Sequence, residues 1–321
     1  MLRRRAAVCG ALLACFAAGC AGDGDEETAA LSSGAPDGEG GTLVWAVAGP
    51  VSSLDPLEAS TRAEQIVARQ VNEPLTARLT SPFEPERRVA GLALRAESSE
   101  GDTVWTFRLR HGVTFQDGEG FDSAAVQANA TRWLTTAAGN AILPDLVSVD
   151  APSPGDVRFA LSAPDPEFPK RLADPRLGIV SPAALAPASG DGAELKRSSQ
   201  TGTGAFEVRE RDASRILLAR HTAWWGSTVK VDLGPALDQV EMMLTRAPSL
   251  RLAMLDAGDA QLADELDPGQ ADQAREDPLL SVLPSKGRTF LGLERSVRGI
   301  ESGTEIPALS SAWLTGLDAA G

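Results

Sequence analysis

Two histidines, His111 and His221, and three cysteines, Cys9, Cys15 and Cys20, are the only imidazoles and thiols in 321 residues. The histidines stand far apart, each beside a strand-like run, without the paired spacing that grips a metal ion. All three cysteines precede Ala21, so neither a sulfur-rich metal centre nor a cysteine nucleophile can be built downstream. Serine chemistry fares no better: G-x-S-x-G is absent, and no S-x-x-K is joined to its partner motifs. The stretch TGTGAF, Thr201 to Phe206, looks like a phosphate loop. Glu207, however, takes the third glycine position and no Lys-Ser/Thr follows, so it reads as a structural turn. Carboxylates are abundant, 44 in all, yet spacing alone sets no two of them face to face. Trp224-Trp225 either packs a corner or walls a ligand. Nothing here supports catalysis. The chain is expected not to be an enzyme, and to carry no cofactor and no metal.

The clustering of the cysteines has its own explanation. Arg3, Arg4 and Arg5 precede an apolar run from Ala6 to Ala18, too short to span a bilayer but of the length and flanks of a secretory signal. Ala17, Ala18 and Gly19 then lead into Cys20, which resembles the lipobox of bacterial lipoproteins. That resemblance implies acylation of Cys20 and removal of residues 1–19 as a lipoprotein signal peptide, Cys9 and Cys15 leaving with it. A multiply acylated cysteine holds its protein stably at a membrane surface. Residues 20–41 are small or acidic and cannot bury an apolar face, so they are expected to form a flexible, lipid-anchored linker. The net charge of −14 becomes more negative once the three signal arginines are lost, which opposes binding to nucleic acid or to anionic lipid without the anchor.

The body begins with a buried strand, Leu43 to Val47, and a polar loop through Ser52 and Ser53. A helix follows with Ala63, Ile66, Val67 and Val71 on one face, stopped by Pro74. Trp105, Phe107 and Leu109 alternate with Thr106, Arg108 and Arg110 as in a half-buried strand, and a His111-Gly112 turn into Val113 to Phe115 predicts a hairpin. Asp122 caps a second helix, with Phe121 packing on Val126 and an apolar face of Val126, Ala130, Trp133 and Ala137. Asp156 to Leu161 reads as a strand, and the proline-rich APDPEFPKRLADPR cannot be regular throughout. Ala205 to Glu210 and Arg215 to Ala219 read as strands around a polar turn. LDQVEMML reads as another, leading into a helix with Leu250, Ala253, Met254 and Ala257 on one face and Gly258 at its end. Strands and helices mix without a strict β-α-β period, so the fold class is α/β, or mixed α+β, with a mixed β-sheet.

The order of motifs carries a resemblance. SLDP (Ser53 to Pro56), NEPL (Asn72 to Leu75), WTFRLRHGVTFQDGEGFDSAAV (Trp105 to Val126), GTGAFEV (Gly202 to Val208), WWG (Trp224 to Gly226) and LRLAMLDAGDAQL (Leu250 to Leu262) occur in the sequence and spacing of the family 5 extracellular solute-binding proteins, the peptide, dipeptide and nickel binders of ABC importers. The resemblance implies a type II periplasmic-binding-protein-like lobe over residues 42–293, an incomplete family 5 domain whose second lobe is largely missing. Residues 294–321 form a divergent tail, as of a truncated or frameshifted receptor. It further implies a lipid-anchored monomer, outside the cytoplasmic membrane or periplasmic, that encloses an oligopeptide or nickel chelate and passes it to a permease and ATPase. Arg176, in RLADPRLGIVSP, matches an arginine that holds the carboxylate of a nickel chelator. Pairing of Arg176 with Asp174 or Asp165 at the surface is the competing reading. Pro50, Val51, Ser52 and Ser53 match a cleft-facing loop, which otherwise merely turns the chain. An aromatic stacking position of the nickel binders is lost near Gly139. A non-transporting surface lipoprotein, acting as an interaction or sensing module, stays open as the alternative.

Overall fold

In a computed structural model, residues 40–81, 84–185, 202–228, 237–284 and 291–295 are described. The signal peptide, Cys20, most of the linker and most of the tail lie outside them.

The first strand, β1 (Thr42–Val47), organises the larger sheet. It pairs in parallel with β10 (Gln239–Leu244) on one side and β11 (Leu262–Ala263) on the other. The other pairings are antiparallel, through β8 (Phe206–Arg211), β9 (Arg215–Arg220), β12 (Leu280–Pro284) and β13 (Leu291–Arg295). The order is β12-β13-β11-β1-β10-β9-β8, a mixed sheet as expected. Alternate β1 side chains enter different cores. Leu43, Trp45 and Val47 pack with α1 (Arg62–Val71), while Ala46 packs with α6 (Pro248–Ala257) and α7 (Pro268–Glu276). Burial of both faces explains the nearly continuous apolar run.

A second sheet, β4 (Ala93–Ser99), β5 (Val104–Leu109), β7 (Asp156–Leu161) and β6 (Leu146–Ser153) in that order, is antiparallel throughout. Its core takes Trp105, Phe107 and Leu109 from β5 and Val126, Ala130 and Trp133 from α2 (Ser123–Thr135). The Asp122 carboxylate accepts from the amides of Ala124 and Ala125, satisfying two donors at the start of α2. Short helices α3 (Ala137–Ile142), α4 (Phe168–Arg171) and α5 (Pro182–Leu185), and a ribbon of β2 (Thr76–Ser81) with β3 (Glu84–Ala90), complete the described body.

Three expectations are corrected. Val113 to Phe115 does not pair with β5, whose two edges are taken by β4 and β7. The segment closes on itself instead, through an isolated bridge between Thr114 and Gly120. Ala137 is exposed because α2 ends at Thr135 and Thr136 starts α3. Helix α6 is rotated from the face its apolar spacing indicated: Leu252, Leu255 and Arg251 are buried and Met254, of the expected face, is half-buried against the same core, whereas Leu250 is 51% exposed and Ala253 and Ala257 face solvent. The buried Arg251 sets that rotation. Its guanidinium donates to the carbonyl oxygens of Asp264 (2.8 Å), Thr245 (2.8 Å) and Glu265 (2.6 Å), bonds available in only one orientation of the helix. Strand β6, absent from the motif reading, pairs with β7.

Alanine substitution separates the two faces of α6. Leu252→Ala should lower unfolding free energy by about 2–5 kcal/mol, and Leu250→Ala by less than about 0.5 kcal/mol, in urea titrations.

Candidate functional site

The carboxyl end of β1 lies between two parallel neighbours, and its chain goes on to α1 in one core whereas theirs go on to α6 and α7 in the other. In open α/β sheets such a point leaves a crevice, and ligands bind there. The segment leaving β1 is Ala48 to Ser53, which contains the four loop residues singled out from the sequence. The Gly49–Pro50 bond is cis. A Cβ on Gly49 would stand 2.8 Å from the Leu244 Cβ at the end of β10, so only glycine lets the loop pass.

Two side chains hold this loop. The buried Glu64 carboxylate accepts from the amides of Ser52 (2.8 Å) and Ser53 (3.3 Å) through one oxygen, and from those of Ser60 (2.9 Å) and Thr61 (3.0 Å) through the other. Burial pushes its pKa up, but the hydrogen bonds from the Thr61, Ser52 and Ser60 amides and the Ser60 hydroxyl outweigh burial and hold it below the ordinary value. Arg211, at the end of β8, donates to the carbonyls of Val51 and Ser52, both at 2.9 Å. Val51 and Ser53 are buried, Pro50 is half-buried, and Ser52 is exposed.

Asp264, just past β11, ties the neighbouring ends together. It accepts from the Ala48 amide at 3.0 Å and pairs with Arg62 of α1 at 3.4 Å. Burial raises its pKa to about 6 against the pull of Arg62.

Beyond the loop, Asp55 caps the 3-10 turn Pro56–Glu58 and forms an ion pair with Arg132 of α2. This turn packs against a second one, Pro175–Leu177, which carries Arg176. The structure therefore brings the segment after Pro50 to Ser53 and the Arg176 segment together. Arg176 is engaged by Asp174, Nε to Oδ1 at 3.0 Å and Nη2 to Oδ2 at 2.6 Å, while Asp165 pairs with Arg171. Gly139 admits no side chain, since a Cβ there would lie 2.2 Å from the Trp133 carbonyl oxygen.

A second polar cluster joins the two sheets. Glu73 accepts from the indole of Trp224 (3.2 Å), the indole of Trp225 (2.7 Å) and the hydroxyl of Thr203 (2.8 Å), and Arg110 stacks 3.9 Å above the Trp225 ring. Burial outweighs these bonds and raises the Glu73 pKa to about 7. Gly202 and Gly204 press on the end of α1, where a Cβ would fall 1.8 Å and 2.2 Å from the carbonyl oxygens of Val71 and Gln70. TGTGAF is thus a packing turn. His111 is an exposed turn residue, and the His221 Nδ1 lies 3.1 Å from the Gly204 carbonyl oxygen. Among the described residues no group of His, Cys, Asp and Glu is placed to hold a metal ion, and no helix is long and apolar enough to cross a membrane.

The motif reading missed Glu64, Arg211, Asp264 and Glu73. The T-x-x-E spacing of Thr61 and Glu64 was a legible capping box. The other three act through partners distant in sequence, which no spacing reveals.

The family model of the bacterial extracellular solute-binding proteins, family 5, matches residues 88–302, past Leu293 where the motif reading ended. The chain belongs to this family. Among curated relatives of this family 5 chain, the glutathione-binding protein GsiB of Escherichia coli K12 is 26% identical over 248 residues, 76% of this chain and 46% of its own length. NikA from Brucella suis, solved with Fe(III)-EDTA, superposes with a TM-score of 0.63 at 24% identity, over 75% of this chain and 48% of NikA. DppA from Helicobacter pylori, solved with the peptide STSA, gives 0.65 at 21% identity, over 77% and 51%. The fold is that of a type II periplasmic-binding-protein lobe, and the relatives are solute-binding proteins rather than enzymes. This family 5 chain spans about half the length of the curated relatives it matches.

A carboxyl with a raised native pKa binds its proton more tightly folded than unfolded, so stability falls as pH climbs between the two values. The window runs from 4.5 to about 7 for Glu73 and from 3.8 to about 6 for Asp264. Glu64 acts oppositely, its contribution being lost as pH falls below 4.5. Unfolding free energies measured in urea should decline between pH 6 and 7, by at most about 1.4 kcal/mol per pH unit from Glu73. Glu73→Gln should flatten that slope, and an unchanged slope would contradict the assignment.

Proposed function

We propose that this chain is the substrate-binding lipoprotein of an ABC importer, which captures a peptide-like or metal-chelate solute and delivers it to a membrane permease driven by an ATPase. Family membership supports the binding role. The observation that carries the site is the Pro50 to Ser53 loop, held at the switch point of the larger sheet by Glu64 and Arg211. A loop whose backbone bonds are already made loses little entropy when a solute docks, so its contacts go into affinity. Arg176, on the turn that packs against Pro56–Glu58, has one guanidinium edge closed by Asp174 and would meet a carboxylate with the other. No bond in the solute need be broken: a second wall closing on a hinge traps it away from water.

Acyl chains on Cys20 would hold the protein on the outer face of the cytoplasmic membrane, or at the periplasmic side, with residues 20–41 as tether. Growth with a radiolabelled fatty acid should label the wild type and leave Cys20→Ser unlabelled. Equal labelling of both would remove the anchor from the proposal.

The capture reading is tested by melting the purified chain with glutathione, Ser-Thr-Ser-Ala, nickel or nickel chelates. A ligand at one hundred times its Kd should stabilise by about 2.7 kcal/mol, several degrees in Tm. A cooperative melt that none of these solutes shifts would favour the surface-module alternative.

A further inference from the structure

Glu73 stands where the chain passes from α1 to the smaller sheet, and the carbonyl oxygens of Pro74 and Leu75 after it accept from the amides of Leu92 (3.4 Å) and Ala93 (2.8 Å). The residue is half-buried, and both of its carboxyl oxygens are engaged. Oε1 accepts from the Trp224 indole, and Oε2 from the Trp225 indole and the Thr203 hydroxyl, all neutral donors. Arg110 acts on the carboxyl through space, since its Nε and Nη2 donate to the Gly91 carbonyl oxygen while the guanidinium stacks on Trp225.

This cluster suits the neutral acid. A protonated Oε2 can donate to the Thr203 oxygen, which reverses that bond, while Oε1 goes on accepting from Trp224 and Oε2 from Trp225. Loss of the proton puts a charge into the same enclosure without adding a donor. Three chain segments meet at the carboxyl, and the one built to move is that of Trp224 and Trp225. Thr222 and Ala223 before it are exposed, and its own backbone bonds are local, from the Trp224 amide to the His221 carbonyl and from the Ser227 amide to the Trp224 carbonyl. Its indoles bind it to Glu73, and Trp225 also packs on the core of the smaller sheet. Other titratable groups lie on the elements around the carboxyl. His221 holds Nδ1 3.1 Å from the Gly204 carbonyl oxygen, Arg176 is closed by Asp174, and His111 and Asp117 are exposed.

We infer that Glu73 is a proton-operated latch: with its carboxyl protonated the Trp224 and Trp225 segment is held closed across the two sheets, and loss of that proton releases the segment while both sheets stay folded. The direction follows from linkage. The closed carboxyl titrates near 7, and one exposed by opening returns to its ordinary 4.5, so the closed form is firmest at acid pH and weakens as pH rises through that interval. Local opening of this kind needs less free energy than global unfolding.

Hydrogen exchange of the two indole N–H groups in the purified chain tests the latch, with their NMR signals assigned through Trp224→Phe and Trp225→Phe. Their protection factors should fall by up to about tenfold per pH unit from pH 5 and level off above about 7. They should also lie at least about tenfold below those of the hydrogen-bonded strand amides of β1 and β5. Glu73→Gln, neutral at every pH, should make the indole protection flat, and His221→Gln should leave the fall in place. The wild-type profile decides even if a variant does not fold. Indole protection that ignores pH, or that equals the protection of the strand amides, overturns the latch. So does a fall that survives Glu73→Gln, or one that His221→Gln removes.

Discussion

A strand that is hydrogen-bonded along both edges and covered on both faces can meet solvent only at its ends. β1 is such a strand, with parallel partners on each side and a different apolar core above and below. Parallel pairing sends all three carboxyl ends to the same edge of the sheet, so the chains leaving β1, β10 and β11 must share one small region. That crowding explains why the region is rich in polar side chains bonded to backbone. Glu64, Arg211, Arg251 and Asp264 each bind main-chain groups of the segments that leave or adjoin these strand ends. The same arrangement fixes the rim formed by the Pro50 to Ser53 loop. Fold and site thus share one cause.

Charge is distributed on the same plan. The chain is strongly acidic, yet near the loop the carboxylates are matched locally: Asp55 with Arg132, Asp264 with Arg62, and Asp174 with Arg176. Pairs of this kind lose little free energy on burial only when their remaining hydrogen bonds are made. Asp264 shows the residual cost, since its pKa stays raised despite Arg62. Glu64 shows the reverse case, in which amide donors outweigh burial. Carboxylates closed into pairs in this way present shape and hydrogen bonds more than field.

How much of this was legible in the sequence depends on the range of the interaction concerned. β1, α1, the Asp122 cap and the Trp105, Phe107, Leu109 alternation follow from local periodicity, and the structure has them as read. The loop Pro50 to Ser53 and Arg176 came from motif likeness, and the turn Pro56–Glu58 that follows the loop packs against the turn that carries Arg176. The failures have a common physical source. The face that α6 buries is set by Arg251 reaching carbonyls thirteen and fourteen residues away, a tertiary bond that overrides an apolar stripe. Val113 to Phe115 could have paired with β5 by turn chemistry alone, but β4 and β7 already hold both its edges.

The glycines of TGTGAF show how a motif can be structurally necessary without touching a solute. Gly202 and Gly204 permit contact with the last turn of α1, and Gln116, from the loop after β5, donates to the carbonyls of Gly204 and Phe206. Glu73, Trp224, Trp225 and Thr203 close the same junction. The two sheets have separate apolar clusters, and polar bonds bridge them. Polar junctions hold orientation through directed bonds, whereas apolar contact tolerates sliding. The small sheet carries the Arg176 side of the site through α2 and the turns beside it, and the large sheet carries the loop. Their relative placement, and so the spacing between Arg176 and Ser52, therefore depends on bonds made well away from either residue.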